Sequence, residues 1–269
     1  MPLLNFLTKN QFGKSHSLIL HFTYHKAMTV FFNNVFKAIS EKFNIYHTFY
    51  HKAILNGVQQ DIFHRNDLRI ISLNDDQLSL ANAPKYKGTH LIRDPRDLLV
   101  SGYRYHKYCK EAWALAPFTE ETLELYSIKE LGLLQLAEKM NYQQLINHID
   151  IETGYLLELN LRKPHFEAML NWNYQNPNIL ELRYENIFDK EIEVFRQIFK
   201  HYGFNNTITD YGLKIVENFS FKNLVAKGNA GTNKHANTGI TGQWKDMLPS
   251  SIQEKINNDY CELLEKLKY

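Results

Sequence analysis

The chain has 269 residues, enough for one large α/β domain or two small ones, and its 44% hydrophobic content is ordinary for a globular core. Thirty-one Lys and Arg against 29 Asp and Glu give a formal charge of +2, which argues against a dedicated nucleic-acid binder but leaves room for a local basic pocket. Two cysteines far apart, Cys109 and Cys261, and no Cys-x-x-Cys exclude a disulfide framework and argue against a structural zinc site, so no metal is expected.

Met1 to Lys14 is interrupted by Asn5, Lys9, Asn10 and Gly13, so no signal peptide is read there. No apolar run approaches a membrane span, and a cytoplasmic location is the expectation. Gly13-Lys14-Ser15 looks like the end of a Walker A loop, but the first glycine of such a loop would fall at Thr8. It also precedes a strand instead of following one, and is read as a surface turn.

The first predicted strand runs from about Ser17 to Tyr24 on the apolar run Leu18–Phe22. After Tyr24-His25-Lys26 the apolar residues Val30, Phe31, Val35 and Ile39 take a helical spacing, which predicts a helix from Ala27 to about Lys42. A strand that enters a helix N-terminus at a Lys and a Thr is a place to hold phosphate. The free N–H groups and helix dipole face the anion, and Lys26 adds a point charge. A second strand is predicted at Asn44–Phe49, and residues 51–67 are weakly patterned. The pairs His21/His25 and His47/His51 have His-x-x-x-His spacing, but they begin in strand-like runs where that spacing does not stack two rings.

A third strand, Leu68–Ser72, leads into the polar cluster Asn74-Asp75-Asp76, and a fourth runs from Gly88 to Ile92. Arg93 ends that strand, Asp94 is placed to cap a helix starting at Pro95, and Ser101 lies about two turns in. Arg is well suited to planar phosphate recognition. Phe118 to about Trp172 reads as helical, with Leu156–Asn173 a separate helix. A fifth strand covers Asn178–Tyr184. Helices follow at Asp189–Tyr202, ended by Gly203, at Thr209–Phe219 and at Pro249–Leu267. Lys222–Thr241, with Gly228, Gly231 and Gly239, reads as a long mobile loop. Strands alternating with helices imply one α/β domain, residues 1–269, with a central, mainly parallel sheet between helices. Ligands bind such sheets at the carboxyl ends of the strands.

Four stretches in order resemble motifs of the sulfotransferase family. Thr23-Tyr-His-Lys-Ala-Met-Thr29 resembles its 5′-phosphosulfate loop, usually Tyr-Pro-Lys-Ser-Gly-Thr-Thr, a P-loop-like element. Arg93-Asp-Pro-Arg-Asp-Leu-Leu-Val-Ser101 resembles its 3′-phosphate motif with the same Arg-to-Ser spacing. Leu182-Arg-Tyr-Glu-Asn-Ile187 is similar to Arg-Tyr-Glu-Asp-Leu. Gly239-Ile-Thr-Gly-Gln-Trp-Lys245 looks like the closing Arg-Lys-Gly-x-x-Gly-Asp-Trp-Lys.

The resemblance implies a donor, 3′-phosphoadenosine 5′-phosphosulfate (PAPS), and a hydroxyl or amine acceptor on a small molecule, lipid or glycan. It places Lys26, Ala27, Met28, Thr29 and Val30 at the phosphosulfate, Arg93 and Ser101 at the 3′-phosphate, and Tyr184 against the adenine. Asn237, Thr238 and Gly239 stand in the closing segment. Three departures follow. Met28 replaces the loop glycine, so either φ stays negative there or the backbone approaches the anion less closely. Asn237-Thr238 replace an Arg-Lys pair, with Lys234 and His235 nearby. The catalytic histidine of many members would fall near Asn74, an amide, which leaves Asp75 and Asp76 as candidate bases, and His47, His51 and His64 as alternatives. Two other readings stay open: a catalytically silent nucleotide-binding homologue, and a phosphotransferase, which needs a Walker A loop that the chain lacks.

Overall fold

The computed structural model describes residues 18–51, 63, 67–75, 78–220, 222–223 and 241–269. In chain order its elements are β1 (Leu18–Thr23), α1 (Thr29–Phe43), β2 (Tyr46–His51), β3 (Arg69–Asn74), β4 (Tyr86–Ile92), α2 (Pro95–His106), α3 (Ala112–Leu115), α4 (Glu120–Leu125), α5 (Leu134–Ala137), α6 (Tyr142–His148), α7 (Ile151–Asn171), β5 (Ile179–Arg183), α8 (Glu191–His201), α9 (Asn206–Phe219), α10 (Trp244–Met247), α11 (Ser250–Asp259) and α12 (Cys261–Leu267). These residues form two compact units. One is drawn from Met1–Ile92 and Asn173–Gly239, the other from Arg93–Trp172 and Ile240–Tyr269.

The first unit holds the sheet. Every residue of β1 is buried, as a strand covered on both faces requires. The strand order is β2-β3-β1-β4-β5, and every pairing is parallel. From β1 the chain moves first to one side, then to the other, so the carboxyl end of β1 lies where the direction of winding reverses. That is where ligands bind open α/β sheets. The register sets Thr23 beside Asn74 and Phe22 beside His90, so β1, β3 and β4 end along one edge.

Aromatic residues at helical spacing on α1 pack against the sheet and α8. The Phe32 ring stacks on His21 at 4.3 Å and lies 4.7 Å from Phe195, and Phe36 meets Tyr202. His21 accordingly belongs to the core. Burial, then the neighbouring His90 and His47, push its pKa down to about 3, and Nδ1 lies 2.8 Å from Thr89 Oγ1. Among the described residues no cluster of three or more His, Cys, Asp or Glu is placed to hold a metal ion. Nor is any helix among them long and apolar enough to cross a membrane.

The second unit is helical and is organised around a buried carboxylate. Asp94 caps α2 by accepting from the Arg96 N–H, with Pro95 in the first turn as expected. α2 packs on α7 through Tyr103 and Tyr155, whose ring centroids are 4.2 Å apart. Between them Glu158 is fully buried. It accepts from Tyr142 Oη at 2.9 Å and Arg162 Nε at 2.8 Å, and its Oε2 lies 2.7 Å from His106 Nδ1. Gly102 makes room for it, because a Cβ there would sit 2.1 Å from Glu158 Oε1.

The predicted helices of this unit differ in their breaks. The block after Phe118 is divided by the capping side chains of Thr119, Asn141 and Asp150, each accepting from a backbone N–H at the start of a new helix. The helix predicted over Pro249–Leu267 is interrupted at Tyr260, whose φ is −124° and whose ring packs on Phe166 at 5.1 Å.

Burial alone would raise the Glu158 pKa. His106 and Arg162, with the hydrogen bonds from His106 and Tyr142, outweigh it and hold it at about 2 against an ordinary 4.5. Between those values the unfolded chain binds the extra proton, so this contribution to stability is complete above the ordinary value and is lost as pH falls through the window. Unfolding free energy followed by denaturant titration is expected to drop across that interval in the wild type. The drop is expected to shrink in Glu158→Gln.

Candidate functional site

The loop after β1 is built from the ends of two neighbouring strands. Thr23 Oγ1 donates to Ala27 O at 2.9 Å, and the Ala27 N–H donates to Tyr24 O, also at 2.9 Å, which closes a tight turn. Tyr24 is buried. Its hydroxyl lies 3.1 Å from His90 Nε2, and His90 Nδ1 lies 2.7 Å from Glu181 Oε2. The loop thus begins on a residue fixed at both its carbonyl and its side chain.

Two residues of this loop, Lys26 (φ 72°) and Met28 (φ 56°), are left-handed. For residues with a Cβ this costs roughly 1–2 kcal/mol each. Met28 therefore takes a positive φ although it is not a glycine, and the alternative of a negative φ there does not hold.

The end of β3 holds this conformation. Asn74 Oδ1 accepts from Thr29 Oγ1 at 3.1 Å, and Asn74 Nδ2 donates to Asp75 Oδ2 at 2.8 Å. Asp75, itself left-handed at φ 61°, donates its N–H to Thr23 O, and its Oδ1 accepts from the His25 N–H at 2.8 Å. Both Asp75 oxygens thus receive hydrogen bonds from within the unit. This arrangement is centred on Asn74, which the sequence marked only as the absence of a histidine.

α1 leaves this loop without a capping side chain at Met28 and without an acidic residue in its first turn. Its first backbone acceptor bond is made by the Phe32 N–H to Met28 O, so the amides of Thr29, Val30 and Phe31 precede any intrahelical acceptor. An uncapped helix start beside a lysine suits an anion. The Ala27 amide is the exception among the expected loop contacts, since it is turned to Tyr24 O. The Thr29 hydroxyl also faces protein acceptors, Tyr24 O at 3.2 Å and Asn74 Oδ1.

Of the other expected residues in this unit, Tyr184 is buried and opens a short 3₁₀ turn after β5. His47 is placed on Ser72, Nε2 to Oγ 3.3 Å, and burial, then Lys37, lower its pKa to about 4. Asp76, His64, Lys234, His235, Asn237, Thr238 and Gly239, and the side chain of His51, lie outside the described residues.

In the second unit Arg93 is buried just before α2, and Ser101 is half-buried two turns in. The start of α2 also carries a clasp that sequence reading did not assign. Asp97 accepts from the backbone N–H groups of Gly242 at 2.6 Å and Trp244 at 3.1 Å. The Arg96 guanidinium, held by Asp94 at 2.8–2.9 Å, lies over the Trp244 ring at 3.8 Å. Burial raises the Asp97 pKa, and the Gly242 N–H, Arg93 and the Trp244 N–H oppose it. Two of the recognised motifs, Arg93–Ser101 and the tail ending at Lys245, therefore bind each other. Their residues are 145 and 147 positions apart, a pairing that spacing does not encode.

The family model for the sulfotransferase domain matches residues 20–268, and the chain belongs to that family. No curated protein matches it. Among solved structures it is similar to mouse sulfotransferase SULT7A1 complexed with PAP, at 16% identity and a TM-score of 0.47, over 96% of this chain and 87% of that one. It is also similar to retinol dehydratase in complex with androsterone and inactive cofactor PAP, at 14% identity and a TM-score of 0.47, over 96% and 83%.

Replacing Asp97 by Ala is expected to lower the unfolding free energy by about 3 kcal/mol, because two backbone N–H groups lose a charged acceptor. Asp97→Asn, which keeps one acceptor oxygen, is expected to lose about half as much. Urea unfolding followed by Trp fluorescence measures both.

Proposed function

We propose that the protein is a sulfotransferase that uses PAPS as donor and a hydroxyl or amine of a small molecule, lipid or glycan as acceptor. The observation that carries this reading is the loop at Lys26: an uncapped helix start with no acidic residue in its first turn, at the carboxyl end of the central strand and in the position of the motif that resembles the phosphosulfate loop. The donor, when bound, supplies a sulfuryl group on its 5′-phosphate. Lys26 would neutralise charge at the oxygen that leaves, and Met28, Thr29 and Val30 would present their amides to the same anion. Arg93 and Ser101 would hold the 3′-phosphate, and Tyr184 would pack on the adenine. Asn237, Thr238 and Gly239 are the family's closing contacts by position alone. Any proton taken from the acceptor would go to one carboxylate after β3, Asp75 or Asp76, with His51 as the alternative base. The family model crosses both compact units, which supports their acting as one sulfotransferase domain.

Calorimetric titration is expected to show tight binding of 3′-phosphoadenosine 5′-phosphate and weak binding of ATP. Lys26→Ala is expected to lower kcat by about 10²-fold or more with a much smaller change in nucleotide affinity, because leaving-group charge is greatest in the transition state. Arg93→Ala is expected to do the reverse, weakening the nucleotide by about tenfold or more. Nucleotide binding without transfer to any hydroxyl or amine acceptor would favour a silent homologue. Absence of nucleotide binding would overturn the donor assignment.

A further inference from the structure

The loop that would hold the phosphosulfate has a shape its own sequence does not favour. Its family counterpart uses a glycine where this chain has Met28, and Lys26 and Met28 both stand at positive φ. A residue with a side chain stays left-handed only where its surroundings fix it. The surroundings here are specific. Asp75 Oδ1 takes the His25 N–H, one residue before Lys26, and Asn74 Oδ1 takes the Thr29 hydroxyl, one residue after Met28. The Asn74 amide ties the two acceptors together through Asp75 Oδ2, and the Asp75 N–H anchors the pair to Thr23 O at the end of β1. The two contacts bracket the strained residues on either side.

We infer that Asn74 and Asp75 are positioning residues that keep the Lys26 loop in its anion-binding shape, and that Asp75 does here what a glycine does elsewhere in the family. The inference rests on the reading of the loop as the phosphosulfate site. It goes beyond that reading because it gives Asp75 a task independent of proton transfer. The distinction matters because both roles predict a damaged enzyme on removal of the carboxylate. They differ in what Met28→Gly does. A glycine enters the left-handed region without a penalty, so it restores the loop's preference when the bracket is gone. It supplies nothing to a missing base.

The experiment compares wild type, Asp75→Ala, Met28→Gly and the double variant. The first readout needs no ligand: amide hydrogen exchange at Ala27, whose bond to Tyr24 O reports the turn. Exchange is expected to speed up by about tenfold or more in Asp75→Ala and to return most of the way in the double variant. The second readout is the affinity for 3′-phosphoadenosine 5′-phosphate, expected to fall by about tenfold in Asp75→Ala and to recover in the double variant. If Asp75→Ala does not fold, Asp75→Asn, which leaves one acceptor oxygen, is compared with and without Met28→Gly for the same recovery. Unchanged Ala27 exchange, or a loss from Asp75 replacement that is equal with and without Met28→Gly, would overturn the inference. A wild-type protein that fails to bind the nucleotide would overturn the donor reading instead, and the exchange comparison would still decide the bracket.

Discussion

In a parallel sheet the central strand cannot turn back on a neighbour, so its chain must leave through a short loop into a helix. β1 is that strand, buried at every position between β3 and β4. The bend after Thr23 therefore has little room, and the chain meets the constraint with two left-handed residues instead of a longer connection. The polar end of β3, in register with the end of β1, is the nearest place from which hydrogen bonds can reach such a loop. The proposed chemistry at Lys26 depends on that register. A shift by one residue would turn Asn74 to the other face of the sheet.

The helical unit meets a different constraint, that of burying charge. Glu158, Arg162 and His106 are all nearly inaccessible, and such groups are tolerated only when their partners are also buried and well placed. The partners come from α2, α6 and α7, so the network fixes these helices relative to one another by direction as well as by area. Asp97 works in the same way at the other end of α2, where it satisfies backbone amides that no helix or strand provides for. α2, which carries Ser101, is thereby held at both ends.

The strands were legible because they read as short runs of aliphatic and aromatic residues punctuated by polar clusters. All five occur where the runs are, and the sheet is parallel as the alternation with helices implies. β3 extends to Asn74, two residues beyond the predicted Leu68–Ser72, because the ladder with β1 continues through the buried Leu73 and the polar Asn74. The positions of Lys26, Arg93 and Ser101 on their elements were legible through motif spacing. The division of the helical block was less so, because Thr119, Asn141 and Asp150 are caps only once their N–H partners are known. Least legible were the contacts made by Asn74, Asp75 and Asp97. Each is a side chain bonding across a long sequence separation, and no local periodicity records that.

The sheet is also discontinuous along the chain. β4 pairs with β1 on one side and with β5 on the other, and the whole of Arg93–Trp172 lies between β4 and the stretch that contains β5. During synthesis β4 therefore presents an unpaired backbone edge until the whole of Arg93–Trp172 and the β5 stretch after it have left the ribosome. Exposed edges of this kind recruit other strands. β4 must wait for the last-made strand of its sheet, and closing that distance is a slow, non-local step. Folding on the ribosome is thus an order-of-arrival problem, in which helices α2 to α7 of the second unit are free to form before the sheet is complete.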